Sequence, residues 1–457
     1  MGIAAIWNSI KQRWRVRNEK TPYDQVPDRD YIKAVRNPYF RQKLIECSIY
    51  EDEENSYYTG ILNTIAEHTC GSTPLVLGNH PDKDVNDAIE DKWLEWCINN
   101  QIGMAIRQIR RSAARTGIGI GIPYKKNDGL DPVTLGIKTI CATDLKQPRG
   151  TTTQDRILEG VEYDENWDIK KIYVANGNED PVPYDAKDII IWFKQVREGF
   201  NVWAPECGPA FTIFPSVRRF MKAIVRGEEF KAAIPMALTL DPNVYKPEAS
   251  LGTPKGTFEY EPGMVPTLPP GVSLEGIQVG QHGAERIQFI ELVITAAARC
   301  VQMPKNIALG DSSGHNMATA AIDILPWKNR THIDRRDFEP VTRKIFKWWM
   351  SQAVLTESYF KPNVRSRVNN FTYSLNYDMI FNHPDPKKNA DSRAVDLISG
   401  SSTLTRIYTD QGQNARRELE RDAKLLGITV IELYKLILAS RNTAALQVIG
   451  VDDGDKE

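Results

Sequence analysis

The chain has 457 residues, 41% of them hydrophobic and 26% charged, the composition of a folded protein with room for two to four domains of roughly 100 to 200 residues each. Lys plus Arg number 58 against 59 Asp plus Glu, and the formal net charge of -1 excludes the strongly basic balance of a protein that grips nucleic acid tightly. Any DNA contact is therefore expected to be loose or local.

Cysteines at positions 47, 70, 97, 141, 207 and 300 never approach the CxxC spacing of zinc or redox sites, which fits a reducing cytoplasm. At the N-terminus, MGIAAIWNSIKQRWRVRNEK places a short apolar run before basic residues. It is too short for a signal core or a membrane span, and Ile6 stands where a myristoylation pattern needs Ser or Thr. Residues 1–24 read as a frayed amphipathic arm.

Residues 51–69, EDEENSYYTGILNTIAEHT, put acids ahead of an apolar stripe of Tyr58, Ile61, Leu62 and Ile65, which predicts a helix with a dipole-favoured start. A second helix follows with Val85, Ile89, Trp93 and Trp96 on one face, and a third closes at Gly117. The period then changes to two. GIGIGIPY, TLGIKTI, EGVEYD, KKIYVA and DIIIWF alternate between turn residues, so 117–195 is a run of strands within an α+β body.

From Phe211 the helical period returns, with Val217, Phe220, Met221, Ile224 and Val225 on one side and Arg218, Lys222 and Arg226 on another. Residues 236–281 are rich in proline and glycine and form a turn-rich insertion. Helix resumes at HGAERIQFIELVITAAARCVQ and stops at Pro304. The polar stretch KNIALGDSSGHN then leads into a long kinked helix over about 317–355 with Pro326 and Pro340 inside it. After the strand-like FTYSLNYDMIF, two or three short helices follow with Gly400 and Gly412 as breakers, and VDDGDKE is an acidic end without an apolar anchor.

This order, with the segments GSTPLVL, EGVEYDENWDIKKIYV, VQMPKNIALGDSSGHNMATAAID and HPDPKKNADSRAVDLISG, resembles the lambda type of tailed-bacteriophage portal proteins over nearly the whole chain. One departure is REGFNVWAPECG at 197–208, where the lambda type usually carries an RPGQxRG-like step. The resemblance implies a portal-like α+β subunit with a mixed wing body, two stem helices bracketing a small clip, a long kinked helix and a helical C-terminal crown. Its regions would be an arm at 1–24, wing at 25–208, stem helices at 209–235 and 282–304, clip at 236–281, channel loop at 305–316, long helix and returning wing strand at 317–383, crown at 384–441 and a flexible tail at 442–457. It further implies a homo-oligomeric ring, usually of twelve subunits, at one capsid vertex, assembled in the bacterial host cytoplasm. Double-stranded DNA would pass through it without sequence specificity. The terminase large subunit, the major capsid and scaffolding proteins, and later a neck adaptor would be its partners; no cofactor, metal or membrane is implied.

A ring through which DNA slides cannot bind it hard, because every phosphate neutralised by Lys or Arg adds sequence-independent affinity. Lys305, Asn306, Ser312, Ser313, His315 and Asn316 offer amine, amide, hydroxyl and imidazole groups suited to loose phosphate contact, and copies around a ring would multiply weak contacts into a collar. The plain alternative is a solvated connector. Arg218, Lys222 and Arg226 make a basic stripe that faces either the channel content or a neighbouring subunit's Glu228 or Glu285. The prolines at 261–272 are expected to shape the clip, and Trp348, Trp349 and Phe346 to pack in a core.

No GxxxxGK[ST] or HExxH occurs, so an ATP-hydrolysing motor and a zinc-dependent hydrolase of that type have no support. Asp334 and Asp337 imitate one half of a two-metal nuclease, but they sit among Arg330, Arg335 and Arg336, where surface pairing is the plainer account. A neck adaptor and, more distantly, a metal-dependent nuclease are the rival readings. The chain's length and its helix, insertion, helix order speak against the adaptor.

Overall fold

The computed structural model describes residues 38–439 except 128, 130, 152–155, 196–202, 212, 234–235, 241–271, 277–282, 312–316, 357–358, 369–370, 378–385, 412 and 438. The expected arm, most of the expected clip, the second half of the expected channel loop and the acidic tail therefore lie outside the described residues. The chain divides into two compact units, one of residues 1–211 with 298–457 and one of residues 212–297.

The first unit begins with α1 (Pro38–Glu54) and α2 (Ser56–Cys70). The acids at 51–54 end α1 instead of opening α2, which corrects the single helix expected over 51–69. The reason is Asn55. Its backbone is extended and its side-chain oxygen accepts from the Tyr57 and Tyr58 amides at 3.2 and 3.4 Å, so it supplies the N-cap that the acids were expected to provide. Asp52, at the unfavourable end of α1, is instead neutralised by Arg111 at 2.7 Å and Arg115 at 3.2 Å.

After β1 (Leu75–Gly78) come α3 (Lys83–Asn99) and α4 (Ile102–Thr116). Val85, Ile89, Trp93 and Trp96 of α3 are all buried, as the periodicity requires. Helix α4 ends at Gly117, whose φ of 90° is the left-handed conformation that glycine reaches without a Cβ penalty. A Cβ there would also lie 2.5 Å from the Ala204 backbone, so the bare turn lets the segment before residue 211 pass directly over it.

The strands are β2 (Ile118–Lys125), β3 (Leu135–Ile140), β4 (Ile157–Leu158), β5 (Val161–Tyr163), β6 (Ile169–Asn176), β7 (Glu179–Asp185) and β8 (Ile190–Phe193). β3, β2 and β8 form an antiparallel sheet in that order, and β4 to β7 form an antiparallel meander. The Ile–Gly alternation of β2 now has a physical cause. Ile118, Ile120 and Ile122 enter a core with Val161, Ile172 and Trp203, whereas Gly119 turns to α4, where a Cβ would stand 2.3 Å from the Ile109 carbonyl oxygen. Glycine on that face allows helix and strand to approach closely.

The second unit holds α5 (Phe214–Ala233), the antiparallel pair β9 (Met236–Leu240) and β10 (Val272–Gly276), and α6 (Gly283–Ala298) except for its last residue. The pair closes the base of the insertion, and Phe220 of α5 meets Phe289 of α6 edge-on at 4.9 Å between ring centroids.

Chain order then returns to the first unit with α7 (Lys305–Leu309), α8 (Met317–Leu355), α9 (Pro362–Arg365), β11 (Tyr373–Asn376), α10 (Pro386–Ile398), α11 (Leu404–Asp410) and α12 (Ala415–Leu426). α8 contains Pro326 and Pro340. β11 pairs antiparallel with β1 and so ties residue 376 to residue 75. The main core gathers around Trp349, fully buried at 0% exposure, whose ring centroid lies 5.4 Å from that of Trp93, 5.5 Å from Phe346 and 6.1 Å from Tyr359. Trp348 packs beside this core partly buried. Among the described residues, no helix is long and apolar enough to cross a membrane.

Helices α2 and α8 are joined by a polar contact that includes a titratable group. The Trp327 indole N–H donates to His68 Nδ1 at 2.8 Å, and the Arg335 guanidinium donates to the His68 carbonyl at 3.0 Å. Burial, aided by the nearby Arg335 charge, lowers the His68 pKa from 6.5 to about 4.

Two outcomes follow from this packing. Trp349→Ala should lower stability by about 3 to 5 kcal/mol in denaturant unfolding, the range for emptying a large aromatic site in a core. Because the folded His68 pKa lies below its unfolded value, its contribution is complete above about pH 6.5 and is lost as pH falls toward about 4. The melting temperature of the wild type should accordingly drop more between pH 7 and pH 5 than that of His68→Gln, whose amide oxygen still accepts from Trp327.

Candidate functional site

Two groups of residues were expected to face DNA. In the first, Pro304 precedes α7, so 305–309 are a short helix and not the open loop expected from KNIALGDSSGHN. Lys305 is exposed at its first position. Asn306 is only 7% exposed, and its side-chain oxygen accepts from the Ile307 amide at 2.9 Å, so it is turned into the local structure. Ser312, Ser313, His315 and Asn316 lie outside the described residues.

The second group lies on α5. Lys222 and Arg226 are exposed, whereas Arg218 is half-buried and the exposed partner on that face is Arg219. Arg219, three residues before Lys222, adds an exposed cation beside the Arg218, Lys222 and Arg226 set read from the sequence.

The strongest concentration of charge was not foreseen. Arg110 of α4, 0% exposed, forms an ion pair with Glu206 at 2.6 Å through one terminal nitrogen and donates hydrogen bonds to Asp334 of α8 through its other terminal nitrogen at 2.5 Å and Nε at 2.9 Å. Lys194, just after β8, pairs with Asp334, and Arg330 reaches Glu206 at 2.9 Å. The Thr69 hydroxyl of α2 donates to the same Asp334 oxygen at 2.9 Å. The Trp192 ring lies under both Arg110, at 4.9 Å, and Lys194, at 5.8 Å.

Burial alone would raise the Asp334 carboxyl, but Arg110 and Lys194 outweigh it and hold the group well below the usual carboxylate range. The same balance lowers Glu206. Burial lowers Lys194, against the pull of Glu206, and Arg110 is raised despite its burial by the two carboxylates. Asp334 is therefore no surface acid, which corrects the pairing expected for it; its partners are interior ones brought by α4 and the end of β8. Asp337 is exposed, and its backbone carbonyl accepts from the Trp192 indole N–H at 3.0 Å. Among the described residues no group of three or more His, Cys, Asp or Glu side chains is placed to hold a metal ion. With both carboxylates engaged by cations, the cluster is built to hold elements together.

Sequence reading missed this cluster because its members are spread from residue 69 to residue 334, and the one local signal was Arg330 four residues before Asp334. The REGFNVWAPECG departure contributes Glu206, whose amide also donates to the Ala114 carbonyl at 3.0 Å.

Comparison with known proteins places these observations in a family. The description "Phage portal protein, lambda family" matches residues 41–331. No curated protein matches the chain. Among solved structures, a chain in the virion of the native gene transfer agent (GTA) particle is similar at 12% identity and a TM-score of 0.45, covering 81% of this chain and 93% of that one. A chain in the neck of the empty GTA particle, computed with C6 symmetry, gives 13% and 0.44 over 84% and 94% of the two chains. One in the neck of the native GTA particle, computed with C12 symmetry, gives 10% and 0.39 over 85% and 95%. The family match runs from Arg41 in α1 to Thr331 in α8, more than half of the chain, and the chain belongs to the lambda family of phage portal proteins.

Proposed function

We propose that this protein works as the subunit of a ring at the unique vertex of a phage capsid, forming the channel through which double-stranded DNA is packaged and ejected. The family match over 41–331 carries this reading. The family is structural, not enzymatic, so the work is done by geometry and weak electrostatics.

In this reading residues 25–208 form the wing, α5 and α6 the stem, 236–281 the clip and 384–441 the crown, with twelve copies closing the ring. The separate compactness of 212–297 supports a stem and clip distinct from the body, as does the strand pair at the base of the insertion. The clip is the docking surface for the terminase large subunit and later for the neck adaptor; the wing meets the capsid and scaffolding proteins. The exposed face of Arg219, Lys222 and Arg226 offers mobile cations to passing phosphates or to the neighbouring stem, and Lys305 stands at the entrance to the channel segment. A near-neutral chain suits a sliding duplex, because few fixed phosphate contacts mean little counterion release to resist motion.

Electron microscopy of the purified full-length protein tests the reading. End-on views should show rotationally symmetric rings with a central hole. A protein that stays a compact monomer at high concentration, with no rings in any view, overturns it.

A further inference from the structure

The C-terminal helices form an apolar cluster of their own. Leu404, Leu419, Ala423 and Leu433 are buried together, with Leu397, Tyr408, Ile428 and Ile437 packed around them, and residues 430–437 are helical. Among the described residues, none of these belongs to the main core around Trp349. Among the described residues, a pair of matched charged stripes fastens the cluster to the body.

Helix α3 buries Val85, Ile89, Trp93 and Trp96 inward and presents Lys83, Asp87 and Asp91 outward at fourfold spacing. Helix α12 answers with Arg416, Arg417 and Glu420. Arg416 pairs with Asp87, Arg417 with Asp91 and Lys83 with Glu420, the last at 2.6 Å. The Arg417 guanidinium also donates to the Asp87 carbonyl at 3.0 Å. Asn414, the N-cap of α12, donates to Glu90, whose other oxygen accepts from the Gly78 amide at 2.8 Å and lies 3.9 Å from Arg416. The signs are arranged so that a shift by one helical turn would lose the match.

We infer that this is an electrostatic latch: the cluster formed by α10, α11, α12 and 430–437 docks on α3 through these charges and departs from it, as an intact folded piece, when ionic strength rises. The outer partners are partly open to water, with the Asp91 side chain 65% exposed and Lys83 52%, whereas Glu90 at 6% is the one buried carboxylate among them. Pairs of that kind are individually weak and readily screened. The screening length shortens from about 10 Å at 0.1 M salt to about 3 Å at 1 M, which is the range over which such a stripe lets go. The apolar cluster has no such sensitivity and holds its helices together through the change. The inference does not rest on the portal reading, since it concerns contacts within one chain.

Spin labels report the docking directly. Glu95→Cys on α3 and Leu425→Cys on α12 place labels at exposed positions, with the half-buried Cys141 and Cys300 replaced by Ser and labelled protein diluted into unlabelled protein. The expected result is one narrow distance distribution at about 0.05 M NaCl, with that component lost at about 1 M and with helix content unchanged by circular dichroism. Arg416→Glu with Arg417→Glu should lose the narrow component already at low salt, and adding Asp87→Arg with Asp91→Arg should restore it. A narrow distribution indifferent to salt overturns the latch, whatever the variants do; so does a charge-reversed chain that keeps it. Should the charge-reversed chain fail to fold, the wild-type salt series alone decides.

Discussion

Helices α2, α4 and α8 and the end of β8 meet at the guanidinium of Arg110. An arginine at 0% exposure cannot stand alone, because removing an ion from water costs several kcal/mol unless opposite charge lies beside it. The answer comes from parts of the chain far apart in sequence: Glu206 from the segment that precedes residue 212, Asp334 from the long helix, and Thr69 beside them. Two carboxylates face three cations, and the Trp192 ring offers its electron-rich face to two of those cations. A buried network of this kind sets position more than it adds stability. Apolar cores tolerate sliding and repacking, whereas a charge set with one geometry tolerates little.

The rest of the unit's packing is consistent with that fixed point. The three-stranded sheet carries Ile118 and Ile120 into one core and lays Gly119 against α4, so the helix bearing Arg110 sits at a set height over β2. Gly117 and the Ala204 backbone press together at the end of the same helix, and the Glu206 amide reaches back to Ala114. On the other side, Trp349 and Phe346 anchor the C-terminal half of α8, leaving Arg330 and Asp334 to be positioned by the helix that carries them. Helix, sheet edge and long helix are thus fixed by apolar contacts on their flanks and by charge where they meet.

Much of this was legible in the chain. The apolar stripe of α3, the alternation of β2, the strand run to residue 195 and the long helix over 317–355 all carry a period that needs no tertiary information. Short-range capping was less legible: the acidic run 51–54 mimics a helix start, and Asn55 takes the cap from it because a neutral amide in an extended backbone meets the first amides directly. Long-range charge was not legible at all. Nothing near residue 334 announces that its partners are Arg110 and Lys194, so Asp334 reads as one more surface acid among arginines. The basic face of α5 fell between these cases, since periodicity located the face but not the exposed Arg219 beside it.

A double-mutant cycle at Arg110 and Asp334 tests this organisation most directly. Asp334→Leu alone leaves a buried guanidinium short of one carboxylate, Arg110→Met alone leaves two buried carboxylates short of a cation, and each should cost about 3 to 5 kcal/mol in denaturant unfolding. The double variant Arg110→Met with Asp334→Leu should be markedly more stable than the sum of the two single losses implies, giving a coupling of about 2 kcal/mol or more. Single losses below about 1 kcal/mol that simply add would contradict a structure organised around this pair.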